Sequence, residues 1–202
     1  MTQKAIQEFW SWFRKRAPRL AEMYEANMLE ELGEEVNRRL DTISGDLPWE
    51  VGPGRRKKYS LTLSPEGNPQ LSILIQQMLD EAPNIHDWEL YSSRQPRPPS
   101  RAIQLPERGL DFPTDQWRFI PEEDLATNRV HLKILDRRLA SEDREAALKA
   151  VSIFLDQFLG EEMVERWIGM ITVAKSSARR KSHPISELLD YIVTKSKRER
   201  NL

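Results

Sequence analysis

Three histidines, two acidic clusters and three basic runs are the residues here whose types suit chemistry. None of His86, His131 and His183 has a histidine or carboxylate partner at metal-ligand spacing, and a satisfied or solvated imidazole accounts for each. His131 meets Asp136 only if the strand that carries it curves strongly. Glu122-Glu123-Asp124 and Glu161-Glu162 pair carboxylates that, brought together, hold a cation or serve as acid and base. Both clusters sit at element boundaries, where solvated charge is the default. The chain has no Gly-x-Ser-x-Gly and no His-Glu-x-x-His motif. It has no cysteine, which excludes disulfides, a thiolate nucleophile and cysteine-ligated metal. The sequence therefore calls for no cofactor, no metal and no catalytic residue.

The basic runs 55–58, 175–181 and 195–200 would suit RNA or DNA if the fold gathered them into one patch. No aromatic ribonucleoprotein motif accompanies them. Gly52-Pro53-Gly54 lies beside the first run and raises the question of a phosphate loop. Its spacing differs from that of a P-loop, Pro53 removes an amide donor, and no helix follows directly. A turn with a solvated basic tip is the simpler account.

These residues need elements to hold them. Ile6, Phe9, Trp10 and Phe13 recur at helical spacing, with Trp12 off the stripe as the ring left exposed. Pro18 kinks this helix or opens the next, which runs from Leu20 to a cap at Gly45. Trp49-Glu50-Val51 and Tyr59 to Leu63 form a hairpin, since Tyr59, Leu61 and Leu63 alternate with polar residues. Asn68 caps a helix with Pro69 in its first turn. Leu71, Leu74, Ile75, Met78 and Leu79 make its buried stripe, and strand Trp88 to Ser92 follows.

A second copy of this order runs from Trp117 to Lys175. It comprises strands Trp117–Ile120 and Val130–Ile134, a helix capped by Ser141 whose buried face is Ala147, Leu148, Val151, Phe154, Leu155, Phe158 and Leu159, a short turn near Trp167, and strand Ile168–Ala174. Pro184 opens a final helix. The expected fold is α+β, with a mixed or antiparallel sheet of about six strands built from two ββαβ-like units. The expected organisation is a single domain, 1–202. Within it, 1–45 is helical, 48–94 the first unit, 95–116 a Pro/Arg-rich loop, 117–175 the second unit and 184–200 the C-terminal helix. Ala102 to Leu105 is a candidate short edge strand within that loop.

The charge is balanced, with Lys+Arg 31 against Asp+Glu 32, so no global field recruits nucleic acid or an anionic membrane. Apolar runs are too short to span a bilayer, and the N-terminus does not read as a signal peptide. A cytoplasmic protein is expected.

Several stretches together resemble a family of uncharacterised bacterial cytosolic α+β proteins. They are Phe9-Trp10-x-Trp12-Phe13, Trp49-Glu50-Val51-Gly52, Ser64 to Leu71, Ala82-Pro83-Asn84-Ile85-x-x-Trp88-Glu89, and Leu159-Gly160-Glu161 before Ile168-Gly169. The resemblance implies no reaction, cofactor or catalytic residue. By analogy with small α+β families it implies an immunity-like or partner-binding role.

The leading functional expectation is a non-enzymatic protein-binding or immunity-like protein whose partner is another protein. Its expected surface is a polar sheet face carrying Glu50 and Glu89, joined by Arg94, Arg97, Arg101 and Trp117, because Arg and Trp commonly anchor interfaces. A cross-strand ion pair with a basic residue such as Arg94 or Arg118 is the simpler account of Glu50 and Glu89. Two alternatives stand beside it. One is a nucleic-acid binder using the basic runs. The other is a hydrolase or transferase with an acidic site.

Overall fold

Two strands that lie parallel and adjacent cannot be joined by a turn; the chain must cross the face of the sheet, usually as a helix. That requirement shapes both halves of the molecule. The computed structural model describes residues 2–45, 47–175 and 181–200. The fold is α+β, and the chain divides into two compact units, Met1–Arg94 and Gln95–Leu202.

In the first unit, β1 (Trp49–Pro53) pairs antiparallel with β2 (Tyr59–Leu63). β3 (Trp88–Tyr91) pairs parallel with β2, and α3 (Pro69–Asp80) makes the crossover. Asn68 caps α3, its Oδ1 accepting from the N–H groups of Gln70 and Leu71. Leu61, Leu63 and Trp88 turn one sheet face into a core that includes Ile75 and Met78 of α3. Before the sheet come α1 (Thr2–Glu25) and α2 (Leu29–Leu40). Ile6, Phe9, Trp10 and Phe13 are all buried there, and the Trp10 indole donates to the Met78 carbonyl at 2.6 Å. Arg16 bridges α1 to α2 through Glu35.

Two local expectations are corrected: the second helix opens neither at Pro18 nor at Leu20, and Gly45 does not cap it. Pro18 lies inside α1, which runs on to Glu25. The break falls at Ala26–Met28, where Asn27 adopts φ 56°. Helix α2 ends at Leu40 with Asp41 as its C-cap, so Gly45 is not the cap.

In the second unit, β6 (Arg118–Asp124) and β7 (Arg129–Leu135) form an antiparallel hairpin. Its turn is tied by Asp124, whose Oδ1 accepts from the N–H groups of Ala126 and Thr127. β8 (Ile168–Ala174) pairs parallel with β7 after α4 (Arg144–Leu159) and α5 (Glu161–Trp167). Asp143, rather than Ser141, caps α4; its carboxylate accepts from the Ala146 N–H at 2.9 Å. β9 (His183–Pro184) adds to β6, and α6 (Leu188–Arg200) closes the described chain. Phe119, Leu132, Ile134, Val151, Phe154 and Leu155 are central to this unit's core.

The expectation of one sheet of about six strands is corrected. The described strands form three sheets, ordered β1-β2-β3, β4-β5 and β8-β7-β6-β9, where β4 is Ala102–Leu105 and β5 is Leu110–Pro113. The cause is local. Gly109, at φ 64°, ends a turn that folds β4 back on β5, so Ala102–Leu105 pairs within its own hairpin. Residues 95–116 are therefore not a plain loop. Ile103, Leu105 and Phe112 enter the core, and Arg108 reaches Asp143 and Glu145 at 2.7 and 2.9 Å.

Phe154→Ala should destabilise the second unit by about 3–5 kcal/mol, since it empties a fully enclosed ring site. Phe13→Ala should do the same to the first unit. Urea unfolding followed by residue-resolved amide exchange reads each unit separately.

Candidate functional site

The most tightly held charged group in the first unit is Glu89. It faces away from the core, as expected from its place after Trp88, yet it is only 7% exposed. Its Oε2 accepts from the backbone N–H groups of Arg55 and Arg56 and from the Tyr91 hydroxyl. Its Oε1 accepts from Arg56 Nε at 3.1 Å. The Arg56 amide first, then the Tyr91 hydroxyl, lower its pKa to about 2. The two amides that would make the basic tip an anion site are thus already taken by the chain's own carboxylate. Gly54 is required here because a Cβ would lie 2.4 Å from the Lys57 carbonyl oxygen. Lys57 Nζ donates to Asn84 Oδ1 and the Ile85 carbonyl, and Lys58 pairs with Glu25 at 2.5 Å. The run 55–58 therefore serves to close this hairpin.

The other candidate residues fall as follows. In the first unit, Glu50 lies 3.9 Å from Arg94, which also holds Glu66 at 2.8 Å. In the second, Arg97 and Arg101 are exposed, and the Arg97 N–H donates to the Gln157 carbonyl. Trp117 is a correction. It is 1% exposed and packs on Phe154 with ring centroids 5.2 Å apart, so it cannot anchor a partner. Arg118, a suggested ion-pair partner for the sheet carboxylates, binds the Ser182 hydroxyl and carbonyl. Of the run 175–181, residues 176–180 lie outside the described residues. Lys195, in the last basic run, is buried against Asn128 and Glu123.

Each histidine has a neighbouring carboxylate. His86 pairs with Asp87 at 2.9 Å. His183 lies 3.4 Å from Glu187 beside a cleft of about 350 Å³, in which Glu123 already accepts from Tyr191 and faces Lys195. No group of three or more His, Asp or Glu side chains among the described residues is arranged to hold a metal ion.

The third histidine marks the feature that sequence reasoning missed. His131 meets Asp124 across the hairpin, with Nε2 3.7 Å from Oδ2, rather than Asp136. Its Nδ1 accepts the Met170 N–H at 2.9 Å. This contact falls where the β7–β8 register shifts between Val130 and Leu132, so the imidazole supplies an acceptor at the irregularity. Gly169 leaves the room: a Cβ there would lie 2.4 Å from His131 Nδ1. A glycine inside a strand is the signal that marks such a close approach.

Strand β8 is the edge of its sheet, with β7 as its one partner among the described residues. Met170 turns its N–H toward β7, and Ala174 offers its carbonyl to Asp136 on the same side. Backbone alternation therefore aims the N–H and C=O groups of Ile171 and Val173 out of the free edge. The other edges are blunted by brevity or proline. β1 has five residues and ends in Pro53, β3 has four, β5 ends in Pro113, and β9 has two with Pro184. β8 has seven residues, no proline, and Met170 60% exposed. Beside it lies a groove of about 360 Å³ whose lining includes Ala140, Leu148, Ile171 and Val173, with Glu142 and Arg144 as charged members.

Among the described residues no helix is long and apolar enough to cross a membrane. No protein-family model, curated protein or solved structure matches the chain.

Two outcomes follow from this geometry. Because Glu89 is held at about 2 when folded, against an ordinary value near 4.3, its contribution to stability is present above about pH 4.3 and is lost as pH falls toward 2. Glu89→Gln should lower the urea midpoint of the first unit at neutral pH and flatten that acid limb. Gly169→Ala should cost about 1–3 kcal/mol by forcing His131 aside. Adding His131→Ala should recover part of the loss in a double-mutant cycle.

Proposed function

We propose that this is a non-enzymatic protein-binding protein whose partner adds an extended segment to the free edge of β8. The observation that carries the reading is the unequal protection of the sheet edges. Proteins normally shorten, charge or interrupt an edge with proline, because its unpaired backbone recruits other strands. Here β1, β3, β5 and β9 follow that practice and β8 does not. Donors and acceptors spaced along a strand are satisfied by an extended polypeptide, which fixes the chemistry of the occupant. Alternate side chains of the added segment would face the groove beside α4, whose aliphatic lining favours an apolar side chain. An immunity-like role in a bacterial cytoplasm is one setting for such a protein.

Selection against a displayed library of random linear peptides tests the reading. The expected ligands carry an apolar residue at alternate positions and perturb the amide resonances of residues 169–174. Val173→Pro removes an outward N–H and should weaken them at least about ten-fold, a loss of about 1.4 kcal/mol. Ala140→Trp should do likewise by filling the groove without touching the strand. Circular dichroism and amide spectra confirm that each variant folds. The proposal fails if no peptide is selected, if selected peptides bind both variants as tightly as the native chain, or if sedimentation shows β8 covered by a second copy.

A further inference from the structure

We infer that His131 is a proton-operated latch that sets the shape of the β8 edge. A backbone N–H only donates, so the 2.9 Å contact from Met170 requires a lone pair on His131 Nδ1. The neutral ring therefore carries its proton on Nε2, which faces Asp124 at 3.7 Å. A proton taken from solvent onto Nδ1 uses up that lone pair. The Met170 N–H then confronts another N–H and loses its acceptor. The bond lost lies at the register shift, where the ladder is already interrupted. Gly169 brings the strand so close to the ring that the added hydrogen has no slack to occupy. The charged ring pulls toward Asp124, and the start of β8 moves off β7.

The groups facing the ring come from three strands. β6 brings Asp124 and, directly across from His131, Glu122. Its own strand brings Arg129 and Lys133 two residues to either side. β8 contributes only the Met170 N–H, since Ile168–Ala174 holds no titratable side chain. Asp124 is itself kept ionised, its pKa lowered first by the Thr127 hydroxyl and then by the Ala126 amide. The counter-charge for an imidazolium is thus in place before the proton arrives.

The consequence for binding rests on the strand-addition reading: the edge takes its partner at neutral pH and releases it in mild acid. The latch itself does not rest on that reading. The ligand-free full chain is titrated from about pH 7.5 to 5.0 while the imidazole nitrogens of His131 and the Met170 amide are followed by NMR. The expected result is an Nε2–H tautomer at the upper end. As the ring titrates, the Met170 amide should move upfield and exchange about ten-fold faster after correction for the intrinsic pH effect. His131→Asn keeps an acceptor oxygen near the Nδ1 position and cannot titrate, so its Met170 amide should stay unchanged over the same range. A peptide selected on the β8 edge should lose about ten-fold in affinity across the titration with the native chain and stay constant with His131→Asn. A Met170 amide that is indifferent to the ring's titration overturns the latch, as does the same acid response in His131→Asn. If no peptide is ever selected, the binding reading fails and the Met170 measurement still decides the latch.

Discussion

The parallel pairing of β2 with β3 and of β7 with β8 is the constraint on which the rest depends. A parallel neighbour has to be reached by a crossover, and the crossover has to lie on a face of the sheet. In the first unit this sets α3 over Leu61, Leu63 and Trp88. In the second it joins α4 to Leu132 and Ile134. The crossover also decides which strand is last. β8 arrives after α5, pairs with β7, and among the described residues has no strand on its other side.

Polar groups stabilise both sheets at the places where the ladders are irregular. At the tip of the first hairpin the amides of Arg55 and Arg56 have no strand partner, and Glu89 supplies the acceptor. At the β7–β8 register shift the Met170 amide lacks a backbone acceptor, and His131 supplies one. In each case a glycine makes the approach possible, Gly54 in the first and Gly169 in the second. A buried polar group without its partner is costly, and the amides that Glu89 serves hold its carboxylate ionised. This turns a carboxylate and an imidazole that look like candidate catalysts into parts of the frame.

Much of the element order was legible. The stripe Leu71, Leu74, Ile75, Met78 and the cap Asn68 announced α3, and the alternation Tyr59, Leu61, Leu63 announced β2. The stripe Ala147, Val151, Phe154 and Leu155 announced the body of α4, though its cap lay two residues beyond the serine that the sequence favoured. Pro18 does not open a new helix because a surrounding core of Phe13, Ala17 and Leu20 holds α1 together across it. The proline-rich segment 95–116 misled because composition reports the cost of pairing and not the apolar residues that overcome it. Ile103, Leu105 and Phe112 pull that segment onto the core as a hairpin. Trp117 was read as an anchor from residue type alone, and burial removed it.

What the sequence determined by itself is local: which residues lie on one face of a helix or strand, where most elements begin, and which chemistries lack their residues. These depend on spacings of two to four positions, which the chain carries explicitly. Only the tertiary structure decided that the described strands divide into three sheets, that His131 meets Asp124 and Met170, and that β8 has no second strand partner among the described residues. Those facts are set by pairing between residues far apart in the chain. Hydrophobic alternation gives a strand its buried face, yet it carries no record of which neighbour stands at each edge.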